Sequence, residues 1–591
     1  MQPFKWVWPY FKRYLNMFIA GLAICFVVAA ASLINPYISG LLVGAVQDGT
    51  WREKLIPFVS VFVLVTFIRT ASRYGMLNIF EHASQNTVLD LRNDIYNWIQ
   101  GQNYSFFDTN RVGDIMARMT ADLDAVRHFS SYVIYAVFEN IIIFIAAIIM
   151  MFTISWQLTL IMLAVAPITA ILARKQATRV KPAFFTIRER FSKLNSVCEE
   201  NIGGNRVVKA FAQEAYEKEK FTEANQSYYD GQIAASKIWA KYMPWLDFCA
   251  NILNVALLLG GGILVITGRL ELWRLVTING CLWALNNPMR QFGFLVNDAQ
   301  NFFASLDKIC EMLRKRVYIQ NPENPVRSER LNGAVEFRNV TFSYDKNEPH
   351  AAVLKNISFY AAPGSSIGIV GATGSGKTTL VNLIGRFYDV TGGEVLVDGI
   401  NVKDYDLQNL RRDIATAAQD VFLFSDTVEG NVAYAVPEAP MERLTRPALA
   451  ADADGFIREL EDGYDTIVGE RGVGLSGGQK QRLSLARALA ANPSILILDD
   501  TTSAVDMETE HGIQQALKQY KGQTKFIIAH RISSVKPADM ILVMDKGEIT
   551  ERGTHEELLA RRGIYHQLFE AQYGTYEIGA DTKKGGVLVG A

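Results

Sequence analysis

Two adjacent aspartates, Asp499 and Asp500, end the apolar run in ILILDDTTSAVD at residues 495–506. The run has the length and composition of a buried strand, which places both carboxylates at a strand end. A carboxylate in that position can hold a divalent cation or polarise an attacking water molecule. We therefore predict that Asp499 organises a metal ion and that Asp500 is the candidate base of a hydrolytic site.

A glycine-rich segment upstream, SSIGIVGATGSGKTTLVNLIGRFY, places G-x-x-x-x-G-K-T between a predicted strand and a predicted helix. Phosphate-binding loops occur in this context, because glycines admit phosphate oxygens to backbone N–H groups while the lysine and threonine serve phosphate and Mg²⁺. A chance glycine-rich turn is the competing interpretation, and both flanks disfavour it. We predict that ATP and Mg²⁺ bind here, through Gly371, Gly374, Ser375, Gly376, Lys377, Thr378 and Thr379.

A second glycine-rich turn, LSGGQ at residues 475–479, opens a predicted helix before the aspartate pair. Backbone N–H groups of Ser476, Gly477 and Gly478 can form an anion-binding nest there, although no lysine belongs to it. A purely structural turn is the alternative. In this motif and the strand after it, the chain resembles ATP-binding cassette (ABC) proteins, whose signature is L-S-G-G-Q. The resemblance implies that the nest, with Gln479, closes over the γ-phosphate held by another subunit.

The same resemblance implies roles for three more side chains. Tyr344, in VTFSYD, matches the aromatic residue that stacks on adenine, and His530, in FIIAHRISSV, matches the switch histidine that follows a strand. Gln419, in ATAAQDVF, matches the glutamine that touches Mg²⁺ and the coupling helices of the membrane domain. The metal contacts that the family implies are Thr378, Gln419 and, through water, Asp499.

Asp500 is the departure from the family, which usually has glutamate at this position. Aspartate is one methylene shorter, which withdraws the carboxylate by about 1.5 Å. A misplaced base forfeits about 10²–10⁴ in rate, unless a small backbone shift lets the shorter side chain reach the water. Because the ATP-binding residues are intact, the chain resembles the degenerate-site subunit of heterodimeric bacterial multidrug ABC exporters. Its implied partner is a second, different ABC half-transporter.

The first half of the 591-residue chain carries long apolar runs, and about 20 such residues suffice to span a bilayer. We predict six transmembrane segments, at residues 16–46, 55–78, 131–153, 157–178, 243–267 and 272–296. They exclude a soluble ABC ATPase of DNA metabolism. The formal net charge of −1 also gives no reason to expect nucleic acid as a partner.

Two of the connections between these spans are long, basic and poor in glycine and proline, so the helices are expected to continue well beyond the membrane. The positive-inside rule places them, both termini and the nucleotide-binding domain in the cytoplasm. The motifs at residues 106–127 and 203–221 resemble the coupling-helix regions of ABC exporters. A globular cytoplasmic insert is the alternative for these connections.

The expected fold is an α-helical membrane domain with six transmembrane helices and long cytoplasmic extensions, followed by an α/β P-loop nucleotide-binding domain. The expected bounds are 1–317 for the membrane domain, 318–333 for a linker, 334–573 for the nucleotide-binding domain and 574–591 for a disordered tail. Polar residues inside spans rarely face lipid, so they are candidates for a cargo cavity, although each can instead join two helices by a hydrogen bond. These candidates are Glu139, Asn140, Asp247, Asn251, Asn254, Asn279 and Asn286.

The predicted function is ATP-driven efflux of amphipathic drugs or lipids across a bacterial inner membrane, by a heterodimer that contacts membrane lipid. One alternative is a peptide or bacteriocin exporter subunit, which the lack of a cysteine-protease domain before the first span disfavours. A second alternative is a regulatory subunit whose ATP site works as a ligand-gated switch rather than as an enzyme.

Overall fold

The computed structural model describes residues 3–315, 319–345, 352–520 and 522–574. The chain divides into two units, Met1–Gln100 with Val112–Arg316, and Gly101–Arg111 with Val317–Ala591. The short segment Gly101–Arg111 therefore groups with the second half of the chain. Apart from Gly574, the tail expected at residues 574–591 lies outside the described residues.

The first half of the chain consists of helices joined by short turns over its described length. Its helices are α1 Pro3–Arg13, α2 Leu15–Gln47, α3 Trp51–Gln100, α4 Tyr104–Thr109, α5 Val112–Ala117, α6 Leu123–His128, α7 Ile134–Ile154, α8 Trp156–Gly203, α9 Asn205–Ala210, α10 Glu214–Ile266 and α11 Leu272–Leu313. Two π-helical turns, Arg118–Asp122 and Phe129–Val133, separate α5, α6 and α7. Of these helices, α4 belongs to the second unit.

Each of the six predicted spans coincides with most or part of one long helix: α2, α3, α7, α8, α10 or α11. The span predicted at 131–153 begins in the π-helical turn before α7, and the span predicted at 243–267 ends one residue beyond α10. Among the described residues, the helical segments Leu15–Gln47, Trp51–Gln100 and Val112–Ile154 are long and apolar enough to cross a membrane. The expected extensions are also present, since α3 alone has 50 residues and is about 75 Å long. The membrane domain is thus helical, with helices that exceed the thickness of a bilayer.

Small residues set the close approach of α2 and α11 in the first unit. A Cβ added at Gly40 would stand 2.6 Å from the Trp273 carbonyl oxygen, and one added at Gly280 would stand 2.9 Å from Pro36 Cβ. Glycine in membrane helices permits such approach and so strengthens their packing. A buried apolar cluster, which includes Ala29, lies between these helices and α7, α8 and α10.

The second unit contains two sheets and the remaining helices. The strands are β1 Val335–Phe342, β2 Leu354–Ala361, β3 Ser366–Gly371, β4 Gly392–Val397, β5 Ile400–Asn401, β6 Ile414–Ala417, β7 Ile495–Asp499, β8 Thr524–Ile528, β9 Met540–Asp545 and β10 Glu548–Gly553. The helices are α12 Lys377–Ile384, α13 Leu407–Arg412, α14 Val428–Val432, α15 Met441–Ala450, α16 Asp454–Glu459, α17 Gly477–Ala490, α18 Met507–Gln519, α19 Ile532–Val535, α20 His555–Arg561 and α21 Ile564–Tyr573.

The six-stranded sheet positions the chemistry. Its order is β10-β9-β3-β8-β7-β6, and all neighbours are parallel except β10, which runs antiparallel to β9. Every residue of β7 is buried, as expected for a parallel strand covered on both faces. The carboxyl ends of parallel strands share one edge, where ligands of open α/β sheets bind. The second sheet, β2-β1-β4-β5, is antiparallel.

Candidate active site

The loop between β3 and α12 has the shape of a phosphate cradle. Gly376 has a φ of 97°, in the left-handed region, and a Cβ there would stand 2.8 Å from Leu354 Cδ2. A Cβ at Gly371 would collide with the carbonyl oxygen of Met544. Glycine is required at both positions because only a residue without a side chain permits this backbone path. The path leads into the N-terminus of α12, where backbone N–H groups favour an anion.

Lys377 and Ser375 provide polar groups that a phosphate would satisfy. Lys377 Nζ donates hydrogen bonds to the carbonyl oxygens of Gly371 and Ala372, both at 2.9 Å. Burial lowers the pKa of Lys377, against the opposing charges of Asp499 and, more weakly, the aspartate after it. Ser375 Oγ is buried and has no hydrogen-bond partner among the described residues. A cationic amine and an orphaned hydroxyl inside a glycine loop match the phosphates of a nucleotide.

Asp499 and Thr378 form an oxygen pair that would suit Mg²⁺. Thr378 Oγ1 donates to Asp499 Oδ2 at 2.8 Å, across from the end of β7. Burial raises the pKa of Asp499, and the neighbouring negative charge of Asp500 adds to it, while the hydrogen bond from Thr378 opposes the shift. A hydroxyl and a carboxylate suit Mg²⁺, which supplies charge neutralisation to bound phosphates. The described residues contain no cluster of three His, Cys, Asp or Glu side chains that would suit another metal.

The backbone of Asp500 is held on two sides. Its N–H donates to the Ile528 carbonyl at 2.9 Å, and its carbonyl accepts from Gln481 Nε2 at 3.3 Å. Its φ is 52°, a left-handed conformation that aspartate tolerates better than most residues. The residue is half-buried, and no described residue hydrogen-bonds to its carboxylate. The carboxylate is therefore available to contact a water molecule or a ligand, whereas the backbone is hydrogen-bonded to β8 and α17.

The sheet brings His530 and Gln419 to the same edge. Each follows its strand, β8 or β6, by two residues, and both are exposed. Neighbouring strands β7 and β8 pair in parallel up to Asp499, so the edge also carries the aspartate pair. The charge of His530 acts on Asp499, whose pKa it lowers slightly. An imidazole, an amide and two carboxylates thus surround the mouth of the phosphate loop.

Tyr344 stands beside the P-loop helix. Its hydroxyl is 3.0 Å from Thr379 Oγ1, and its ring meets Phe342 and Tyr388 edge-on, with centroids 4.9 and 5.2 Å away. The side chain is 52% exposed, so a ring face remains available. This arrangement suits an aromatic base stacked on Tyr344 while its phosphates occupy the adjacent loop.

The signature turn begins α17 with a capping box, and it makes no hydrogen bond to the described P-loop of its own chain. Ser476 Oγ accepts from the Gln479 backbone N–H, and Gln479 Oε1 accepts from the Ser476 N–H at 2.8 Å, which completes a capping box at the start of α17. A Cβ at Gly478 would stand 2.9 Å from the Ala504 carbonyl oxygen. Among the described residues, no hydrogen bond joins this turn to the P-loop of the same chain.

The cargo-cavity candidates in the membrane domain have different environments. Glu139 is buried and pairs with Arg73 at 3.0 Å, and Asn140 donates to Gln291 at 2.9 Å. Asp247, Asn251 and Asn279 are exposed on their helices, while Asn254 and Asn286 are half-buried. Asn140 therefore has the helix-to-helix hydrogen bond that was the alternative for this group. Sequence reading missed Arg73, although an arginine inside a predicted span was a signal for it.

Two family profiles match the chain, the ABC transporter transmembrane region at residues 18–289 and the ABC transporter profile at residues 354–503. In Bacillus subtilis, the uncharacterized ABC transporter ATP-binding protein YknU is 39% identical over 579 residues, which cover 97% of this chain and 98% of the relative. The chain belongs to the ABC transporter family. With one membrane domain and one nucleotide-binding domain, it is an ABC exporter half-transporter.

Other relatives of this exporter agree with that assignment. The ATP-dependent lipid A-core flippase of Syntrophus aciditrophicus is 35% identical over 584 residues, which cover 97% of this chain and 96% of the flippase. A solved bacterial Atm1-family ABC exporter with ATP bound has the same fold, with a TM-score of 0.78 at 24% identity over 96% of this chain and 99% of that one. The exporter thus couples ATP hydrolysis to transport across a membrane.

Proposed function

We propose that this exporter half pairs with a different half-transporter, and that its own ATP site is the slow one of the two. The observation that carries the proposal is the backbone of Asp500, held by Ile528 and Gln481 beside an otherwise complete phosphate loop. A small backbone shift would be the simplest way for a shorter carboxylate to reach the attacking water. Two hydrogen bonds and a left-handed φ oppose that shift.

Each functional side chain then has a defined task. In this chain's own site, Tyr344 stacks on adenine, Lys377 neutralises phosphate charge, and Thr378, Gln419 and Asp499 hold Mg²⁺. Asp500 directs the attacking water, and His530 donates a hydrogen bond to the γ-phosphate, as an imidazole N–H can. The nest at Ser476, Gly477, Gly478 and Gln479 completes the partner's site, because an anion-binding turn without its own lysine needs a phosphate held elsewhere.

The proposed cargo is an amphipathic compound or lipid, moved outward across the inner membrane of a bacterial cell with both termini in the cytoplasm. The flippase named above, whose name specifies lipid A-core, supports a lipid-like cargo. The exposed Asp247 and Asn251 on α10 and the Arg73–Glu139 pair supply polar groups inside an otherwise apolar helical domain. Such groups rarely face lipid, which favours an internal cavity.

Purification of the tagged chain from its native membrane tests the pairing. We expect mass spectrometry to find one other half-transporter in equal amount, with glutamate after the aspartate that corresponds to Asp499. Recovery of this chain alone, as a dimer of identical copies, would reject the proposal. A peptide exporter would be favoured instead if peptides, but no lipid or drug-like amphiphile, stimulated the ATPase activity of the purified pair.

A further inference from the structure

Gln572, near the end of α21, brackets the turn that carries His530. Its Nε2 donates to the His530 carbonyl oxygen at 2.5 Å, and its Oε1 accepts from the Ile532 N–H at 2.9 Å. One amide thus satisfies two backbone groups on either side of Arg531. Among the described residues, Gln572 is the only hydrogen-bond donor to the His530 carbonyl.

The position of this amide is set by a packed core. In α21, Tyr565 is completely buried, and Leu568 and Phe569 pack against the same apolar cluster. That cluster also contains Ile532 and Val535, which follow the turn in α19. Gln572 itself is exposed, but the helix that carries it is attached by these buried side chains to the segment after His530, which keeps the amide beside the turn.

The other side of the turn is anchored separately. Arg531 Nη1 lies 3.2 Å from Glu510 Oε2, and Glu510 is 3% exposed. Ser534 also donates to the Glu510 carboxylate. Arg531 is thus held toward α18, whereas the His530 imidazole has no hydrogen-bond partner among the described residues. The direction of the imidazole is left to the backbone, which Gln572 holds.

We propose that Gln572 is a positioning residue for ATP hydrolysis, which fixes the His530 backbone so that the imidazole faces the γ-phosphate on this chain's own P-loop. The inference rests on the proposed role of His530. It makes a site-specific claim, because His530 serves the ATP held by its own chain and not the ATP held by the partner. A misplacement of about 1 Å in such a group can lower the rate as much as 10²-fold.

Three substitutions separate hydrogen bonding from packing. Gln572→Met keeps the length of the side chain and removes both hydrogen bonds. Gln572→Glu keeps an acceptor for the Ile532 N–H but turns a carboxylate oxygen toward the His530 carbonyl, which repels it. Gln567→Met is the matched control, since Gln567 is exposed on the same helix and its side chain has no hydrogen bond with any described residue.

The experiment measures each ATP site of the purified, partnered complex separately. All variants carry Asp500→Glu in this chain, which should raise hydrolysis at its own site to a measurable rate. In one background Gly477→Asp is added, which blocks the partner's site. In the other background Lys377→Ala is added, which blocks the chain's own site. With the partner's site blocked, we expect Gln572→Met and Gln572→Glu to lower kcat about tenfold, with KM for ATP within about twofold. With the chain's own site blocked, neither substitution should change turnover. Gln567→Met should leave kcat and KM for ATP unchanged in both backgrounds.

Equal losses in both backgrounds, or a lowered unfolding temperature for Gln572→Met, would assign Gln572 a merely structural role. No loss in either background would also overturn the inference, as would a further loss when Gln572→Met is added to His530→Ala. Inactivity of both blocked backgrounds would instead reject the unequal pairing proposed above. Comparison of Gln572→Met with Gln567→Met in the unblocked Asp500→Glu chain would then decide the role of Gln572 by itself.

Discussion

Asp500 combines a short carboxylate with a backbone that has little freedom to compensate. The left-handed φ of 52° and the bonds to Ile528 and Gln481 fix where its Cβ points. Gly477, by contrast, lies in open surroundings, since an added Cβ would approach only Ala504 Cβ, at 3.7 Å. A side chain at residue 477 would therefore act through its charge rather than by disturbing the fold.

Lesions at Asp500 and Gly477 should consequently have unequal effects on the complex. In the proposed pairing the nest faces the partner's γ-phosphate, so the carboxylate that Gly477→Asp places there should lower turnover by at least about 10²-fold. Under the same proposal the base at Asp500 is badly placed, so Asp500→Ala should lower turnover only about twofold. Asp500→Glu should speed hydrolysis at this site. Steady-state ATPase of the purified pair measures all three.

The opposite outcome has a clear meaning. If Asp500→Ala stops the complex as completely as Gly477→Asp does, Asp500 is a competent base and the two sites are equivalent. Asp500→Glu also has a modest structural cost to consider, because glutamate tolerates a positive φ less well than aspartate. The unfolding temperature of each variant serves as the control for that cost.

The buried charge of Asp499 lowers the stability of the folded chain at neutral pH. Burial raises its folded pKa above the unfolded value of 3.8, so the folded chain binds a proton more tightly than the unfolded chain. The contribution of Asp499 to stability is therefore fully present below that value and is lost as the pH rises through the raised pKa. At neutral pH the buried charge is a cost that Mg²⁺, when bound, offsets.

Asp499→Asn should make the protein more stable and inactive. We expect the nucleotide-free complex to unfold at a temperature higher by roughly 1–4 °C near neutral pH, with ATPase activity lost. The difference from the unsubstituted protein should shrink as the pH is lowered toward 3.8. Thermal unfolding at several pH values checks this, and a destabilised Asn variant at neutral pH would contradict the burial argument.

At the scale of elements, α4 belongs with the nucleotide-binding unit. The Tyr104 ring stacks on Phe387 with centroids 4.4 Å apart, and the Tyr388 hydroxyl donates to Asp108 Oδ2 at 2.7 Å. Tyr388 also meets Tyr344 edge-on. Burial, and next the hydrogen bond to Asp108, raises the pKa of Tyr388, which keeps its phenol a donor. Aromatic contacts therefore run from Tyr344, the proposed adenine-stacking residue, to Tyr104 in α4.

Tyr388→Phe removes the hydroxyl from this path and leaves the ring in place. We expect basal ATPase activity to stay within about twofold, while stimulation by cargo falls by about fivefold. The reason is that the variant loses the charge-assisted hydrogen bond between Tyr388 and Asp108, which weakens the contact of α4 with the nucleotide-binding domain. ATPase assays with and without an amphipathic cargo measure both quantities. Tyr360→Phe, at a tyrosine exposed on β2, is the control. Equal basal and stimulated losses would show a folding defect instead.

At the scale of the whole molecule, the chain contains one phosphate loop and one signature turn, and its described residues show no hydrogen bond between them. Under the proposed pairing, two half-transporters, each with one phosphate loop and one signature turn, build two complete sites. A second copy of this chain would supply aspartate at both sites, whereas a partner with glutamate would supply one fast site.

The chain expressed and purified without a partner should accordingly hydrolyse ATP slowly. We expect at most a few per cent of the rate of the assembled pair, since a misplaced base costs about 10²-fold or more. ATP binding itself should persist, because Lys377 and Thr378 are in place, and a fluorescent nucleotide measures it. Fast, cooperative hydrolysis by a verified homodimer would contradict the proposed pairing.

Local patterns in the sequence were sufficient to predict the long helices of the membrane domain, the extensions of α3 and α10, the P-loop and the buried strand that ends at Asp499. Each depends on residues close together in the chain: hydrophobic periodicity decides a span, and glycine at a positive φ decides the phosphate loop. These effects arise from backbone sterics and burial, which act over one helix or one turn.

The tertiary structure decided which distant groups meet. Sequence spacing does not indicate which distant residues form hydrogen bonds with each other. Three such pairs are Arg73 with Glu139, Tyr388 with Asp108, and Gln572 with the His530 carbonyl. Such contacts form between elements far apart in sequence, whose relative placement is set by the packing of whole helices and sheets. The sequence alone therefore determined which chemistry the chain can perform, while packing decided which side chains hold and orient that chemistry.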